Sequence, residues 1–110
     1  MYKDNMFDFL HNSNIDDLDD LSNHANELIR AEQWDEAEKL CQKLREQFPE
    51  EIDGDDRTAQ LYQQRKDYKK ALSYAQTALY KAQRNPGKFD TELIADLEEQ
   101  VDFLKEKASA

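Results

Sequence analysis

The stretch that decides the fold is "EQWDEAEKL", residues 32–40, which carries the only tryptophan of the 110-residue chain. When the sequence is shifted by 34 positions, this stretch falls on "KDYKKALSY", residues 66–74, and Trp34 falls on Tyr68. Self-similarity at a fixed period of this length is the signature of stacked repeat units. The sequence therefore predicts a repeat protein with a 34-residue period.

Small and apolar residues on both sides of this stretch coincide at the same shift. The pairs are Ala25 with Ala59, Leu28 with Tyr62, Ala37 with Ala71, Leu40 with Tyr74, Cys41 with Ala75 and Leu44 with Ala78. Two helices approach closely only where small side chains face each other, so we expect the alanines of each repeat at its helix crossing. Large aromatic side chains fill the space beside such a crossing, which is the predicted role of Trp34 and Tyr68.

Apolar residues recur at steps of three and four along most of the chain, which is typical of amphipathic helices. The pattern predicts one helical domain, residues 15–108, with five helices. They cover about residues 15–31, 34 or 35 to 47, 55–64, 68–84 and 91–107. Asp90 is the predicted N-cap of the last helix, with Phe89 and Ile94 spaced as a hydrophobic staple. We expect a loop at "EEIDGDD", residues 50–56, and a fourth helix one turn longer than the second.

Residues 1–14 form a separate part of the sequence. Their apolar side chains are spaced as a short helical stripe, formed by Tyr2, Met6, Phe9 and Leu10 with Phe7 beside it. The "NSN" that follows, residues 12–14, breaks the pattern and provides N-capping side chains. Residues 1–14 are therefore predicted to be a short helix or a flexible arm.

A 34-residue period with two helices in each period resembles the tetratricopeptide repeat (TPR) family. The resemblance covers repeats at about residues 18–51 and 52–86, followed by a capping helix at about residues 91–107. It implies an all-α fold, in which antiparallel helix-turn-helix repeats form a short right-handed α-solenoid of about five helices. The second repeat departs from the family pattern at Asp55 and Thr58, where large apolar residues are usual.

The resemblance also implies a concave groove, lined by the first helix of each repeat, that holds a peptide or a helix of a partner protein. Carried over position by position, the groove residues are Asp19, Ser22, Asn26, Ile29, Asp56, Gln60 and Gln63. The implied function is a non-catalytic protein–protein interaction module, either an adaptor or a co-chaperone-like protein. These positions lack the lysines and arginines with which some members grip an acidic C-terminal tail, so we expect a basic or neutral partner.

A second hypothesis is structural. Each repeat of a solenoid buries its face against a neighbour, so two repeats leave one flank of the first repeat exposed. The N-terminal segment of the chain or a second copy of the chain could cover that flank. In this alternative the protein self-associates, for example as a homodimer, through its N-terminal segment or through the exposed flank.

The net charge of −10 is unevenly distributed. Residues 1–56 carry 17 acidic and 5 basic side chains, whereas residues 57–110 carry 8 acidic and 10 basic ones. Nucleic-acid binding is disfavoured because phosphate contacts need clustered lysine and arginine. No apolar run has the length of a membrane span, and a single cysteine fits a reducing compartment, so we expect a cytoplasmic protein that does not bind membranes.

No pattern of catalytic or metal-binding residues is present in the sequence. His11 and His24 are the only histidines, and neither lies near a second ligand at metal-binding spacing. The acidic runs at residues 16–20 and 51–56 lack the ligand spacing of a calcium-binding EF-hand loop. The sequence therefore predicts a protein without enzymatic activity, metal or cofactor.

Overall fold

The computed structural model describes residues 17–110, and all regular structure in this range is α-helical. The helices are α1 (Leu18–Arg30), α2 (Trp34–Gln47), α3 (Asp53–Gln64), α4 (Tyr68–Gln83) and α5 (Thr91–Ser109). Each helix packs against the next one along the chain, and α1 also packs directly against α3. The predicted all-α fold is thus confirmed, and the five helices form a short helical-repeat arrangement.

Two helices begin at the residues that the sequence predicts, Tyr68 and Thr91, and α2 begins at Trp34, the earlier of its two predicted starts. The difference in length between α4 and α2 is smaller than predicted, since α4 has 16 residues and α2 has 14. The excess is two residues, whereas the sequence predicted a full turn. Helix α2 ends just before Pro49, which cannot continue a helix.

Helix α1 begins at Leu18 and is capped by Asp17, whose side chain accepts a hydrogen bond from the Asp19 amide at 2.8 Å. The predicted start of this helix at Ile15 lies outside the described residues, as does the whole predicted N-terminal segment, residues 1–14. Two further carboxylates in the first turn, Asp19 and Asp20, suit the positive end of the helix dipole.

Helix α3 begins two residues earlier than predicted, so the second half of the predicted loop at residues 50–56 is helical. Three aspartates occupy its first turn, where negative charge is favourable. Gly54 also lies in this turn, where a glycine normally weakens a helix. Here the missing side chain is required by packing, because a Cβ atom on Gly54 would lie 2.7 Å from the backbone nitrogen of Arg45 in α2.

The turns inside the two repeats have the same backbone conformation. Each contains one non-glycine residue with positive φ, at Glu32 (60°) and at Lys66 (64°), and these two residues are 34 positions apart. In each turn the amide of the next residue donates to the carbonyl five residues earlier. The Gln33 amide donates to the Leu28 carbonyl at 2.9 Å, and the Asp67 amide donates to the Tyr62 carbonyl at 2.8 Å. This is the Schellman arrangement of a helix C-terminus. The backbone conformation of these turns therefore repeats with the same 34-residue period as the sequence.

Lys66→Gly is expected to raise the free energy of unfolding by about 0.5–1 kcal/mol. The left-handed conformation costs an L-residue roughly 1–2 kcal/mol, and glycine avoids this cost. The greater flexibility of glycine in the unfolded chain cancels only the smaller part of the gain. Urea denaturation measures the change. Gln76→Gly, on an exposed position in the middle of α4, is the matched control and should lower stability by about 1 kcal/mol. A loss of stability in both variants would contradict the turn assignment.

The main core joins both repeats. The four alanines of the predicted helix crossings have no exposed surface: Ala25, Ala37, Ala59 and Ala71. Trp34 and Tyr68 are partly buried and pack against the same cluster. The guanidinium of Arg65 lies 5.8 Å from the centre of the Trp34 ring. The predicted packing role of the two aromatic residues is therefore confirmed.

Helix α5 is fastened at its start by the two devices that the sequence predicts. The Asp90 side chain accepts a hydrogen bond from the Leu93 amide at 2.8 Å, which confirms the N-cap. Phe89 is buried in a second apolar cluster, and Ile94 packs against that cluster, as a hydrophobic staple requires. α5 packs on α4, whereas no Cα atom of α5 comes within 8 Å of a Cα atom of α3.

The two departures from the repeat pattern in α3 are buried polar positions with partners. Lys81 Nζ donates to Asp55 Oδ2 at 2.6 Å, and Asp55 is only 4% exposed. Arg45 Nη1 donates to Thr58 Oγ1, which itself donates to the Gly54 carbonyl at 2.6 Å. A buried polar group is costly only when it lacks a hydrogen-bond partner, so these residues replace apolar packing with polar pairs.

Tyr62 joins α3 to α2 through a hydrogen bond from its Oη to Glu38 Oε2 at 2.5 Å. Burial and this carboxylate raise the pKa of Tyr62 from the ordinary 10.0 to about 12. The bond therefore stabilises the fold fully below pH 10, and that contribution is lost as the pH rises through 12. We expect one tyrosine of the folded chain to ionise late in a tyrosinate absorbance titration, and Tyr62→Phe to remove that step. A late step that survives this substitution would contradict the assignment.

Candidate functional site

Four polar side chains form a continuous row across α1 and α3, which we call the polar row: Ser22, Asn26, Arg57 and Gln60. Arg57 Nε donates to Ser22 Oγ at 2.9 Å, and Arg57 Nη1 donates to Gln60 Oε1 at 3.0 Å. Gln60 Nε2 then donates to Asn26 Oδ1 at 2.7 Å. The last bond joins residues 34 positions apart, so equivalent positions of the two repeats meet on this face.

Three of the seven predicted groove residues thus lie together in the polar row. Ser22 is only 3% exposed, while Asn26 and Gln60 are partly exposed. Asp19 lies on the exposed side of the first turn of α1. Asp56 and Gln63 are partly buried on α3, outside the hydrogen bonds of the row.

Ile29 differs from the expectation that it lines an accessible groove. It has no exposed surface and belongs to the main core cluster together with Leu21 and Ala25. The physical reason is the spacing along α1, because residues four and eight positions apart share one face of a helix and this face is turned inward. Ile29 is therefore a core residue and presents nothing to a partner.

Arg57 is the member of the polar row that sequence reasoning missed. Its guanidinium bridges α1 and α3. The sequence does contain a signal for this role, because Arg57 lies three residues before Gln60 and the two side chains therefore share one face of α3. The positive charge also affects the neighbouring Asp56. Burial raises the pKa of the Asp56 carboxyl, and the Arg57 guanidinium opposes this rise. The nearby Asp53 and Asp55 carboxylates raise the same pKa further.

A cleft of about 390 Å³ continues this face between α3 and α5, because these two helices do not pack on each other. We call it the α3–α5 cleft, and its lining residues are Gln63, Asp96, Glu99, Gln100 and Phe103. Phe103 is 43% exposed, which is unusual for a large apolar side chain. The cleft therefore combines two carboxylates, two amides and an accessible aromatic ring.

A second concave surface lies on the outer side of the first repeat, between α1 and α2. We call it the flank groove; it has a volume of about 380 Å³ and is lined by His24, Leu28, Glu36, Lys39, Leu40 and Lys43. Leu28 and Leu40 are partly buried and pack against the main core, so they form an apolar floor. Charged side chains surround this floor.

Residues 17–110 contain no group of three or more His, Cys, Asp and Glu side chains placed to hold a metal ion. Burial raises the pKa of the Cys41 thiol above its ordinary value, and the adjacent Thr58 side chain opposes this shift. Within the same range, no helix has the length and apolar character needed to cross a membrane.

Comparison with protein-family models, with curated proteins and with solved structures found no match to this chain. The resemblance to TPR proteins therefore stays a prediction from the sequence. The observations that bear on function are the polar row, the α3–α5 cleft and the flank groove.

Proposed function

We propose that this chain is a TPR-like, non-catalytic interaction module, an adaptor or co-chaperone-like protein, that binds an extended segment of a partner protein. The segment lies along the face of α1 and α3 and continues into the α3–α5 cleft. The observation that carries the proposal is the Gln60–Asn26 hydrogen bond, which aligns equivalent positions of two repeats on one accessible face. A cytoplasmic location belongs to the same proposal and is supported by the single cysteine.

Asn26 has the chemistry to hold a peptide backbone. Its Oδ1 atom accepts from Gln60, whereas its Nδ2 group makes no hydrogen bond to another residue within the range 17–110. An amide side chain can both donate and accept, so the remaining Nδ2 donor suits a backbone carbonyl of a bound segment. Gln60 holds the Asn26 side chain in one orientation, which reduces the entropy lost on binding.

The charges on this face favour a basic or neutral segment. Asp19 is exposed at one end of the face, and Asp96 and Glu99 line the α3–α5 cleft at the other end. The guanidinium of Arg57 is the cation of the polar row, and it already donates to two neighbouring side chains of that row. An acidic segment would meet like charge at both ends, which costs affinity and slows association.

The proposal is tested by capturing a partner with the full chain and then titrating the purified partner against variants. Asn26→Ala and Gln60→Ala should each weaken binding about tenfold, the cost of one lost hydrogen bond. Gln76→Ala, on the exposed side of α4, is the matched control and should leave the affinity unchanged. If Gln76→Ala weakens binding as much as Asn26→Ala, the partner occupies another face and the proposal is wrong.

Peptide probes test the charge preference separately. A peptide that ends in an acidic tail should not bind, whereas a basic peptide of the same length should bind with an affinity that falls as salt is added. Micromolar binding of the acidic tail that is lost on Asn26→Ala would contradict the proposed charge preference.

A further inference from the structure

The 34-residue period relates the flank groove to a surface of the second repeat. Leu28 and Leu40, which form the floor of the groove, correspond to Tyr62 and Tyr74 at this shift. His24, at the edge of the groove, corresponds to Thr58. The equivalent surface on the second repeat is thus formed by α3 and α4, in the way that α1 and α2 form the flank groove.

This equivalent surface is covered by α2, the helix that precedes the second repeat. Tyr62 donates to Glu38, and Arg45 donates to Thr58. The Arg45 guanidinium also lies 4.9 Å from the centre of the Tyr74 ring. Each of these contacts joins α2 to a residue whose counterpart in the first repeat lines the flank groove. Since α2 is the element before the second repeat, the equivalent cover of the flank groove is the part of the chain that precedes α1.

The residues before α1 have the pattern of α2 at this shift. When the sequence is shifted by 34 positions, Gln47 at the end of α2 coincides with Ser13, so α2 corresponds to the segment that ends at Ser13. Three inward positions of α2 coincide with apolar residues, Leu40 with Met6, Cys41 with Phe7 and Leu44 with Leu10, whereas the buried Ala37 coincides with Lys3. The exposed Glu36 coincides with Tyr2. The apolar side chains of the segment are therefore in register with the side of α2 that packs inward.

The length and the charge of the segment also fit. Five residues connect α2 to α3, and four residues, 14–17, would connect a segment ending at Ser13 to α1. A connection of four residues reaches about 13 Å, enough for adjacent elements. The segment carries Asp4 and Asp8, while Lys39 lies on the rim of the groove. Asp4 corresponds to Glu38, whose side chain bonds to the second repeat, so Asp4 is the acidic residue expected to meet this rim.

We infer that residues 2–11 of this chain cover its own flank groove, in the position that α2 takes on the second repeat. Phe7 and Leu10 fill the floor above Leu28 and Leu40. The solenoid is then extended by half a repeat at its N-terminal end. This occupant completes the first repeat and leaves the face of α1 and α3 open for a partner.

Thermal unfolding of full-length variants tests the register. Phe7→Ser and Leu10→Ser should each lower the unfolding midpoint by roughly 10 °C, since each removes a buried side chain from a small domain. Tyr2→Ser is the matched control, because its position corresponds to the exposed Glu36, and should shift the midpoint by less than about 2 °C. Equal shifts in the three variants, or no shift in any, would overturn the inference.

Chemical cross-linking identifies which copy of the chain supplies the segment. Asp4 and Leu28 correspond to Glu38 and Tyr62, which are in contact, so we expect the variant Asp4→Cys/Leu28→Cys in a Cys41→Ala background to be cross-linked by a short bifunctional maleimide. The expected product is a cross-linked monomer. Asp8→Cys/Leu28→Cys is the control, because Asp8 corresponds to the exposed Gln42, and should react less. A cross-linked dimer as the only product assigns the groove to a second copy and overturns the inference, as does equal reaction of the two pairs.

Discussion

Gly54→Ala should lower the free energy of unfolding by about 1–2 kcal/mol, although alanine is the better helix former. A Cβ atom at this position would lie 2.7 Å from the Arg45 nitrogen and 2.9 Å from the Arg45 Cα. Both are backbone atoms of α2, so relief requires one helix to move away from the other. Such overpacking costs roughly 1–3 kcal/mol or more, and the helix propensity of alanine recovers only about 1 kcal/mol.

Gly87→Ala is the matched control for this prediction. No heavy atom lies within 4 Å of a Cβ at Gly87, and no glycine among the described residues has a positive φ. This substitution should therefore leave stability unchanged or raise it by up to about 1 kcal/mol, through the smaller entropy of the unfolded chain. Urea denaturation of both variants measures the difference. If the two alanine variants have equal stability, α2 and α3 are not as close as described.

Lys81→Met should lower the free energy of unfolding by about 3 kcal/mol at neutral pH. The Lys81 ammonium lies 2.6 Å from Asp55 Oδ2, and the Asp55 side chain is only 6% exposed. Methionine keeps most of the aliphatic volume of lysine but removes the charge. The carboxylate is then left buried without its partner, which costs more than the pair itself contributes.

The double variant Asp55→Leu/Lys81→Met separates the pair from simple loss of packing. Its stability should return to within about 1 kcal/mol of the parent, because an apolar pair of similar volume replaces a buried ion pair at little cost. The residue of α1 that corresponds to Asp55 is the buried Leu21, so leucine suits the position. A double variant as unstable as Lys81→Met alone would show that the loss comes from α4 and does not depend on Asp55.

Local signals explain why so much of the helical pattern could be predicted. The starts of α2, α4 and α5 follow from turn and capping residues that lie within a few positions of each start. The pairing of Trp34 with Tyr68 needs only a comparison of the sequence with itself. The N-cap at Asp90 is equally local. Features of this kind depend on neighbours in sequence, so they can be read without knowledge of the packing.

Partners distant in sequence explain the errors. The sequence predicts a loop at residues 50–56, which include Gly54, but Gly54 lies in a helix and its close neighbour is the backbone of α2. Ile29 was assigned to the groove from a family pattern, although its helix face is turned into the core. Arg57 is not among the predicted groove residues, because its bond to Ser22 depends on how α1 approaches α3.

The sequence by itself determined the 34-residue period, the helical class and most helix boundaries, since periodicity and capping are properties of short stretches. Only the tertiary structure decided which polar side chains are paired and which are accessible. The physical reason is that burial and hydrogen bonding depend on the distance between helices, to within an ångström. Asp55 and Asn26 are both polar residues on first helices of their repeats, yet Asp55 is paired with Lys81 in the interior, whereas Asn26 is partly exposed and bonds only to Gln60 within the range 17–110.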